Sequence, residues 1–600
     1  MRARAGDPPR TMTQKVLAGR ADDPELKGEL VRVKVDQVVL AREPARALGE
    51  ALAAGMKKCA VEVAVAYDTR CVTSDGAETP SDRVTRAALA TGLLLSRPGI
   101  GFPAPVHLER FGSPARLALT DEPRLAAVGG AGMLTLVAAP SQLAEALATG
   151  AIWLRPPRSI QVLLSGRIRP FVCVRDVALE LVRRGLGDII QRVDREHQAP
   201  VVIEFAGPSA RLLSVPDRAV LAALGPHLGA AAAVFVSDEK TEVYLRDQRR
   251  SKAHRSLTPD PGAPCDDVIS VDLSAVDPLV MDEQCVVRPV RELAGKPVLQ
   301  VVLGGDTGAS LRDLLAAAAL LKSKRVPPRL DLLVAPPSRQ ALEVLAHSGA
   351  LVDLIATGAR LIEPDQRLVT GELYPPPAGG VSLRTCDPEP SSPLDRRFVV
   401  ASAETIAYAV ASGSVGDPRS FKRPVRVTVP RTLPTDDVLI VRKGKAKGKG
   451  DGEGGKVSGP SLAPPAGWNT AVTLAVAKER SALSEPSAML LTSLDAVRWA
   501  SRYASDLVPS LRAVVAEHLP AGIVAQFSAL GIAALVADAA TLKKLALEKT
   551  LGLPAPGGPE VSVTAGAGKA MLRWAAIGAE RAWTEAGTAR GSAAAAKPGR

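Results

Sequence analysis

Thiolates and imidazoles hold most protein-bound transition metals, and this chain spaces neither for that purpose. Its cysteines are Cys59, Cys71, Cys173, Cys265, Cys285 and Cys386, and no two of them form a C-x-x-C pair. Its histidines, His107, His197, His227, His254, His347 and His518, are scattered, with no spacing that suggests zinc. A histidine on its own is read as a satisfied core or surface residue. Oxygen donors come next. Asp121, Glu122, Asp306 and Asp365 could bind Mg²⁺ or Ca²⁺ if the fold brought them to one cleft. The reading preferred here is that they are solvated loop residues, so no metal is expected. Gly304-Gly305-Asp306-Thr307-Gly308 follows the apolar run Val298–Leu303 as a phosphate-binding turn would, but it lacks the Lys and the glycine spacing of a P-loop.

The elements that must position these residues are those of a multidomain α/β protein. Six hundred residues exceed what one core accommodates. Aromatic residues make up 3% of the chain, so Ala, Val and Leu must do most of the packing. From about residue 30 to 440, apolar runs such as Val61–Val65, Ile160–Leu164 and Val298–Leu303 alternate with Ala/Leu helical patterns, which predicts largely parallel sheets. Residues 1–11 read as a disordered tail, and the sequence leaves both Met1 and Met12 as starts of translation. Residues 12–440 form the α/β region. Residues 441–467 are a linker in which Lys443, Lys445, Lys447 and Lys449 alternate with Gly and Ala; charge without apolar content cannot order such a segment. Residues 468–587 form a smaller Ala-rich domain, and 588–600 a flexible tail.

Several function classes are disfavoured. The net charge of +12 and pI near 9.5 would suit RNA, DNA or an anionic membrane. The aromatic interleaving of single-strand binders is absent, so the charge is read as spread over a large surface. The apolar stretch Ala521–Ala537 is bounded by Pro520 and Asp538, and it predicts a buried α/β segment rather than a membrane span. With no secretory signal and no disulfide pattern, the cytoplasm is the expected location.

Several segments carry a resemblance. Met12-Thr13-Gln14-Lys15-Val16-Leu17-Ala18 is similar to an M-T-x-x-x-K-I-L-A start. Glu145–Leu154 resembles an A-L-A-T-G-x-x-W-L helix end, with Gly150 placed as a C-cap. Ser237-Asp238-Glu239-Lys240-Thr241 resembles P-D-E-K-T, Leu311–Leu314 resembles I-E-D-L, and Ala401–Thr405 through Asp417-Pro418-Arg419 resembles A-S-P-E-T … D-P-R. Ala513–Ala516 through Gly531-Ile532 resembles A-V-I-A … F-G-I. These are segments of the aconitase and 3-isopropylmalate dehydratase family. The resemblance implies three α/β lobes, a linker and a small swivel-like β/α domain fused in one chain.

It also implies a chemistry whose parts are missing. Family members dehydrate and rehydrate hydroxy-acids on a [4Fe–4S] cluster held by one Cys in G-S-C-T-N and two in C-G-x-C. The matching positions here are Asp306, Gln366 and Val369, which offer no sulfur. The T-D-S-H-T segment matches Thr120-Asp121-Glu122-Pro123-Arg124, so Glu122 and Pro123 replace Ser and His. Phe102 stands for the histidine of G-I-x-H, and Asp68-Thr69 for a D-H pair. Pro388 takes an arginine position of S-N-R-x-F. The swivel loop G-S-S-R-E-H, which carries the catalytic serine, matches Ala496–Ser501, with Val497 and Arg498 for the serines and Trp499 for the arginine. Proline and phenylalanine cannot shuttle protons. The expectation is a family member without the cluster and without hydro-lyase activity, retained for binding or regulation. Its expected partner is a related active enzyme or a small carboxylate. The alternatives are an active hydro-lyase and an RNA-binding relative.

Overall fold

In a computed structural model, residues 8–575 are described except for positions 43, 72–79, 198, 389–396, 432, 436–437, 443–469, 477–485, 503, 508–509, 520–522, 525–526, 529, 555–559 and 567. The linker's 443–467 and the tail at 588–600 lie outside the described residues.

Three sheets and a barrel account for the strands that position the site. The first sheet runs, in spatial order, Ile440–Val441, Leu94–Ser96, Val63–Tyr67, Gln37–Leu40, Leu117–Thr120 and Leu134–Val137. All pairs are parallel except that of the short edge strand Ile440–Val441. The second sheet is Ala232–Phe235, Val201–Ala206, Arg158–Ser165 and Asp267–Asp272, parallel throughout. The third has a parallel centre, Val399–Ala401, Val381–Arg384, Val298–Gly304, Asp331–Ala335 and Arg360–Leu361, with Leu279–Met281 and Val287–Pro289 antiparallel at one edge. Central strands such as Gln37–Leu40, Leu117–Thr120 and Val201–Ala206 are buried along their whole length. That follows from helices on both faces, and it explains why these strands read as continuous apolar runs rather than alternations. The fold is α/β, as the sequence predicts.

Motifs that carried the resemblance are helix ends. Gly150 closes helix Pro140–Thr149 at φ 76, a conformation that costs glycine little. Asp238 caps Glu239–Asp247 by accepting from the Lys240 and Thr241 amides, and Ser402 caps Ala403–Ser412 through the Thr405 amide. Such caps satisfy amides that the helix leaves open. One boundary differs from the sequence reading. Arg10 and Thr11, assigned to the disordered tail, are engaged: the Arg10 amide donates to Asp260 and Thr11 caps helix Met12–Ala18.

The C-terminal strands close a seven-stranded barrel in the order Thr470–Val476, Ser487–Leu491, Leu511–Ala516, Ala533–Val536, Gly568–Trp574, Glu560–Ala565 and Thr550–Leu553. The apolar stretch 521–537 supplies one of its buried strands. Among the described residues no helix is long and apolar enough to cross a membrane. Taking each sheet with its helices as one lobe, numbered as the sheets are, Arg46 of the first lobe donates to the Leu530 carbonyl at 2.7 Å, linking barrel and body.

The first and second lobes meet along the 3₁₀ segment Pro123–Ala131, which is buried along its length. A Cβ on Gly129 would lie 1.8 Å from the Ala233 carbonyl oxygen. Backbone cannot retreat as a side chain can, so Gly129→Ala is expected to destabilise the chain by about 3 kcal/mol, as measured by denaturant unfolding. Gly49→Ala, on helix Pro44–Ala53 with open space around it, serves as the control for a glycine change that meets no neighbour.

Candidate functional site

The strand Val298–Gly304 ends in a turn that only glycine tolerates. Gly304 and Gly305 have φ of 102 and 93. A Cβ on Gly304 would sit 2.0 Å from the Ala335 carbonyl oxygen, and one on Gly308 2.1 Å from that of Thr385. The glycines therefore serve close backbone packing, not phosphate contact. The loop then enters helix Leu311–Leu321 through a reciprocal Ser310–Asp313 cap. This holds Asp306 beyond the carboxyl end of the strand, where open α/β sheets place functional groups.

A second segment faces it. Asp365 caps the turn Gln366–Leu368 and is itself held by Arg367 and by the Cys71 amide at 3.0 Å. The Gln366 amide donates to the Thr69 carbonyl at 3.2 Å. Its side-chain Nε2 donates to Asp306 Oδ2 at 3.0 Å. So two of the three positions matched to cluster ligands touch each other directly. Val369, the third, is fully buried in an apolar cluster with Cys386, Phe398, Val400 and Leu279.

Two buried arginines complete the arrangement. Arg124 Nε lies 3.8 Å from Asp306 Oδ2, and both side chains are 0% exposed. Arg124 Nη2 also donates to the Asp387 carbonyl at 3.1 Å. Arg175 Nη1 donates to both carboxylate oxygens of Asp387, at 2.8 and 2.7 Å, and Nη2 reaches the Thr307 carbonyl at 3.4 Å. Burial alone would raise the Asp387 carboxyl's pKa, but the Arg175 charge, helped by His227 and Arg124, holds it below the usual value. Asp387 is thus an anion locked to a cation.

The other matched positions are also accounted for. Asp121, 1% exposed, accepts from the Ala41 and Arg42 amides. Glu122, equally buried, accepts from the Arg124 amide and from Arg42 Nε at 3.0 Å, with Pro123 opening the 3₁₀ segment behind it. Phe102 is buried against Val302, Leu333 and Leu368 of the third lobe, filling core where the resemblance expects an imidazole. Asp68 accepts from the Arg70 amide and Thr69 adjoins Gln366. Pro388 is buried beside Asp387. Val497 and Trp499 lie on helix Leu494–Arg502 and pack into an apolar cluster of the barrel; the Arg498 side chain lies outside the described residues. The reading of Asp121, Glu122, Asp306 and Asp365 as solvated loop residues is corrected. All four are buried, and each accepts hydrogen bonds from the protein: Asp121 from two backbone amides, Glu122 and Asp365 from the turns they cap and from arginines, and Asp306 from Gln366. His107 is a core residue as expected, bonded to Tyr67 and Gln37, with burial pushing its pKa down to about 3.

The donor set does not fit an iron–sulfur cluster. A carboxylate, an amide and an isopropyl group are not soft ligands, and two of them already bond one another. Nearby thiols do not repair this. Cys386 Sγ is 3.4 Å from where a Gly305 Cβ would stand, and Cys71 is hydrogen-bonded at the Pro364–Asp365 turn. Burial raises both thiol pKa values, that of Cys71 to about 11, so both stay protonated near neutral pH, whereas metal ligation needs thiolate. Among the described residues no group of three His, Cys, Asp or Glu side chains could hold a metal ion. What sequence reasoning missed is the pairing. Arg124 and Asp387 sat in quoted segments without a role, and Arg175 was not singled out. No local pattern marks them: Arg124 follows Asp121-Glu122-Pro123, and Arg175 precedes Asp176.

Breaking a buried ion pair leaves an uncompensated charge. Arg124→Met is expected to cost about 3–5 kcal/mol. Arg124→Met with Asp306→Leu should cost less than the sum of the two single changes, as read from urea unfolding of the four proteins.

With this geometry in hand, relatives can be weighed. The model of the aconitase family (aconitate hydratase) matches residues 125–286. The chain is 27% identical to 3-isopropylmalate dehydratase large subunit 2 of Archaeoglobus fulgidus, over 69% of this chain and 99% of that one. It is 32% identical to the probable 3-isopropylmalate dehydratase large subunit of Methanothermobacter thermautotrophicus, over 47% and 67%. It is 30% identical to 3-isopropylmalate dehydratase large subunit 1 of Deinococcus radiodurans, over 59% of this chain and 80% of that one. Likeness at that level over four-fifths of a relative, on a scaffold of the expected α/β type, settles the ancestry: this chain belongs to the aconitase family.

Proposed function

We propose that this chain is a non-catalytic member of the aconitase family, retained for a binding or regulatory role, in which a buried charge network stands where its relatives hold a cluster. The contact between Gln366 and Asp306, neutralised by Arg124, carries the reading. A hydro-lyase needs an open Lewis-acid site on its metal, and here nothing in the donor set would bind the metal. The proton-handling positions point the same way: Phe102 is core, Pro123 is part of a cap, and Val497 is inside a helix.

In this reading the barrel is the counterpart of the family's swivel domain, joined through the 441–467 linker, and the three sheets are the three lobes of the large-subunit region. The cytoplasm is the proposed location, in keeping with six cysteines outside any disulfide. A small carboxylate is the less favoured ligand at this centre. The guanidinium groups that would clamp it are already paired with the chain's own Asp306 and Asp387.

Anaerobic purification, reconstitution with iron and sulfide, and assay on 3-isopropylmalate, citrate and homocitrate test the reading. Colourless protein without bound iron or sulfide, and without turnover, is expected. A brown protein that dehydrates any of the three acids would establish an active hydro-lyase instead.

A further inference from the structure

The strand order of the second sheet reverses at Arg158–Ser165, which pairs with Val201–Ala206 on one side and Asp267–Asp272 on the other. Such a reversal opens a crevice at the carboxyl ends of the two diverging strands, and α/β sheets bind their ligands there. Here it holds a cavity of about 530 Å³, a size that suits a small molecule. The loops after Arg158–Ser165, Val201–Ala206 and Asp267–Asp272 line one side. Helices Leu311–Leu321 and Ala403–Ser412 of the third lobe, with the segment Pro424–Val425, line the other. The lining shares no residue with the Arg124–Asp306–Gln366 network.

Cations prevail around this space. Arg167, Arg169 and Arg312 face two carboxylates, Asp217 and Glu404. Exposed Arg423 and Arg426 flank the lining pair Pro424–Val425. Arg169 is paired with Asp277, and Arg312 lies 3.7 Å from Asp313. Asp217 accepts from the Ser214 hydroxyl at 2.6 Å. Glu404 is the acid left open: it is 7% exposed, and its Oε2 has no hydrogen-bond partner among the described residues. A buried polar atom left open at a cavity wall calls for an explanation. The charged and titratable groups around it are Asp313, Asp176 and Cys173, with Arg312 as the counter-charge. Burial, reinforced by Asp313 and Asp176, pushes the Glu404 carboxyl up to about 8, so it keeps its proton at neutral pH. A buried O–H with nothing to receive it, beside a guanidinium, suits an anionic acceptor. Leu273, Ala316 and Leu320 make an apolar wall, and exposed Leu212 extends it to the rim. A doubly charged ligand would meet both that wall and the Asp217 carboxylate, so a single charge on a hydrocarbon body fits best.

We propose that this cavity binds an apolar monocarboxylate of the fatty-acid type, its carboxylate accepting from the Glu404 carboxyl and pairing with Arg312, its chain lying against Leu273, Ala316 and Leu320. Glu404 serves as a neutral donor, and losing its proton turns attraction into repulsion. Affinity is therefore full at neutral pH and falls as pH rises through about 8, above which binding takes up a proton. The inference stands apart from the cluster reading: iron bound elsewhere in the chain would leave it untouched.

Calorimetric titration of the full chain with octanoate tests it, with octan-1-ol and octylammonium as neutral and cationic counterparts. Saturable binding of octanoate alone is expected, weakening about tenfold or more between about pH 7 and 9.5. Glu404→Gln keeps a neutral N–H donor in the same place, so it should bind octanoate near neutral pH and lose that pH dependence. Arg312→Met should weaken binding about tenfold throughout. No binding of octanoate at millimolar concentration would overturn the proposal, as would equal binding of the alcohol or the ammonium. So would an affinity of the parent chain that stays level across that pH range, or unchanged affinity in an Arg312→Met protein that melts like the parent.

Discussion

Two guanidinium groups buried out of reach of water must be neutralised, and that requirement organises the centre of this protein. Arg124 comes from the first lobe and Arg175 from the second, while Asp306, Gln366 and Asp387 come from the third. Each ion pair therefore spans a lobe boundary. Charges this deep are tolerated only when paired and hydrogen-bonded, so the lobes can meet only in the arrangement that satisfies them. The glycine turns at Gly304, Gly305 and Gly308, which let the third-lobe loop lie against neighbouring backbone, bring Asp306 into range.

The same network underlies the proposed loss of chemistry. In its relatives the matching positions are expected to present thiolates to iron. Here one of those positions is an anion committed to a cation, the second donates a hydrogen bond to the first, and the third is sealed in an apolar cluster. The two cysteines nearest the centre are held as thiols by burial. At two of those positions the side chains bond to one another.

Much of the fold was legible in sequence because parallel strands buried on both faces write themselves as apolar runs. Val298–Leu303 became Val298–Gly304, and Ile160–Leu164 became Arg158–Ser165. Helix ends were legible at Gly150 and Ser402, because capping chemistry is local. What the sequence left open was how Asp306, Gln366 and Val369 are held. Gln366 and Asp306 are 60 residues apart, and Arg175 and Asp387 are 212 apart. No local pattern links such pairs; only the packing of three lobes does. The burial of Asp121, Glu122 and Asp365 was hidden for a related reason. A capping aspartate and a solvated one look alike until the neighbouring loop is placed over them.

The central claim concerns what occupies the space between Asp306, Gln366 and Val369. Anaerobic crystals of protein grown with iron and sulfide, with diffraction recorded at the iron absorption edge, address it most directly. The account expects no anomalous peak there and side-chain density joining Gln366 to Asp306. Iron within bonding distance of those side chains, or of Cys386 and Cys71 drawn in toward them, would contradict it.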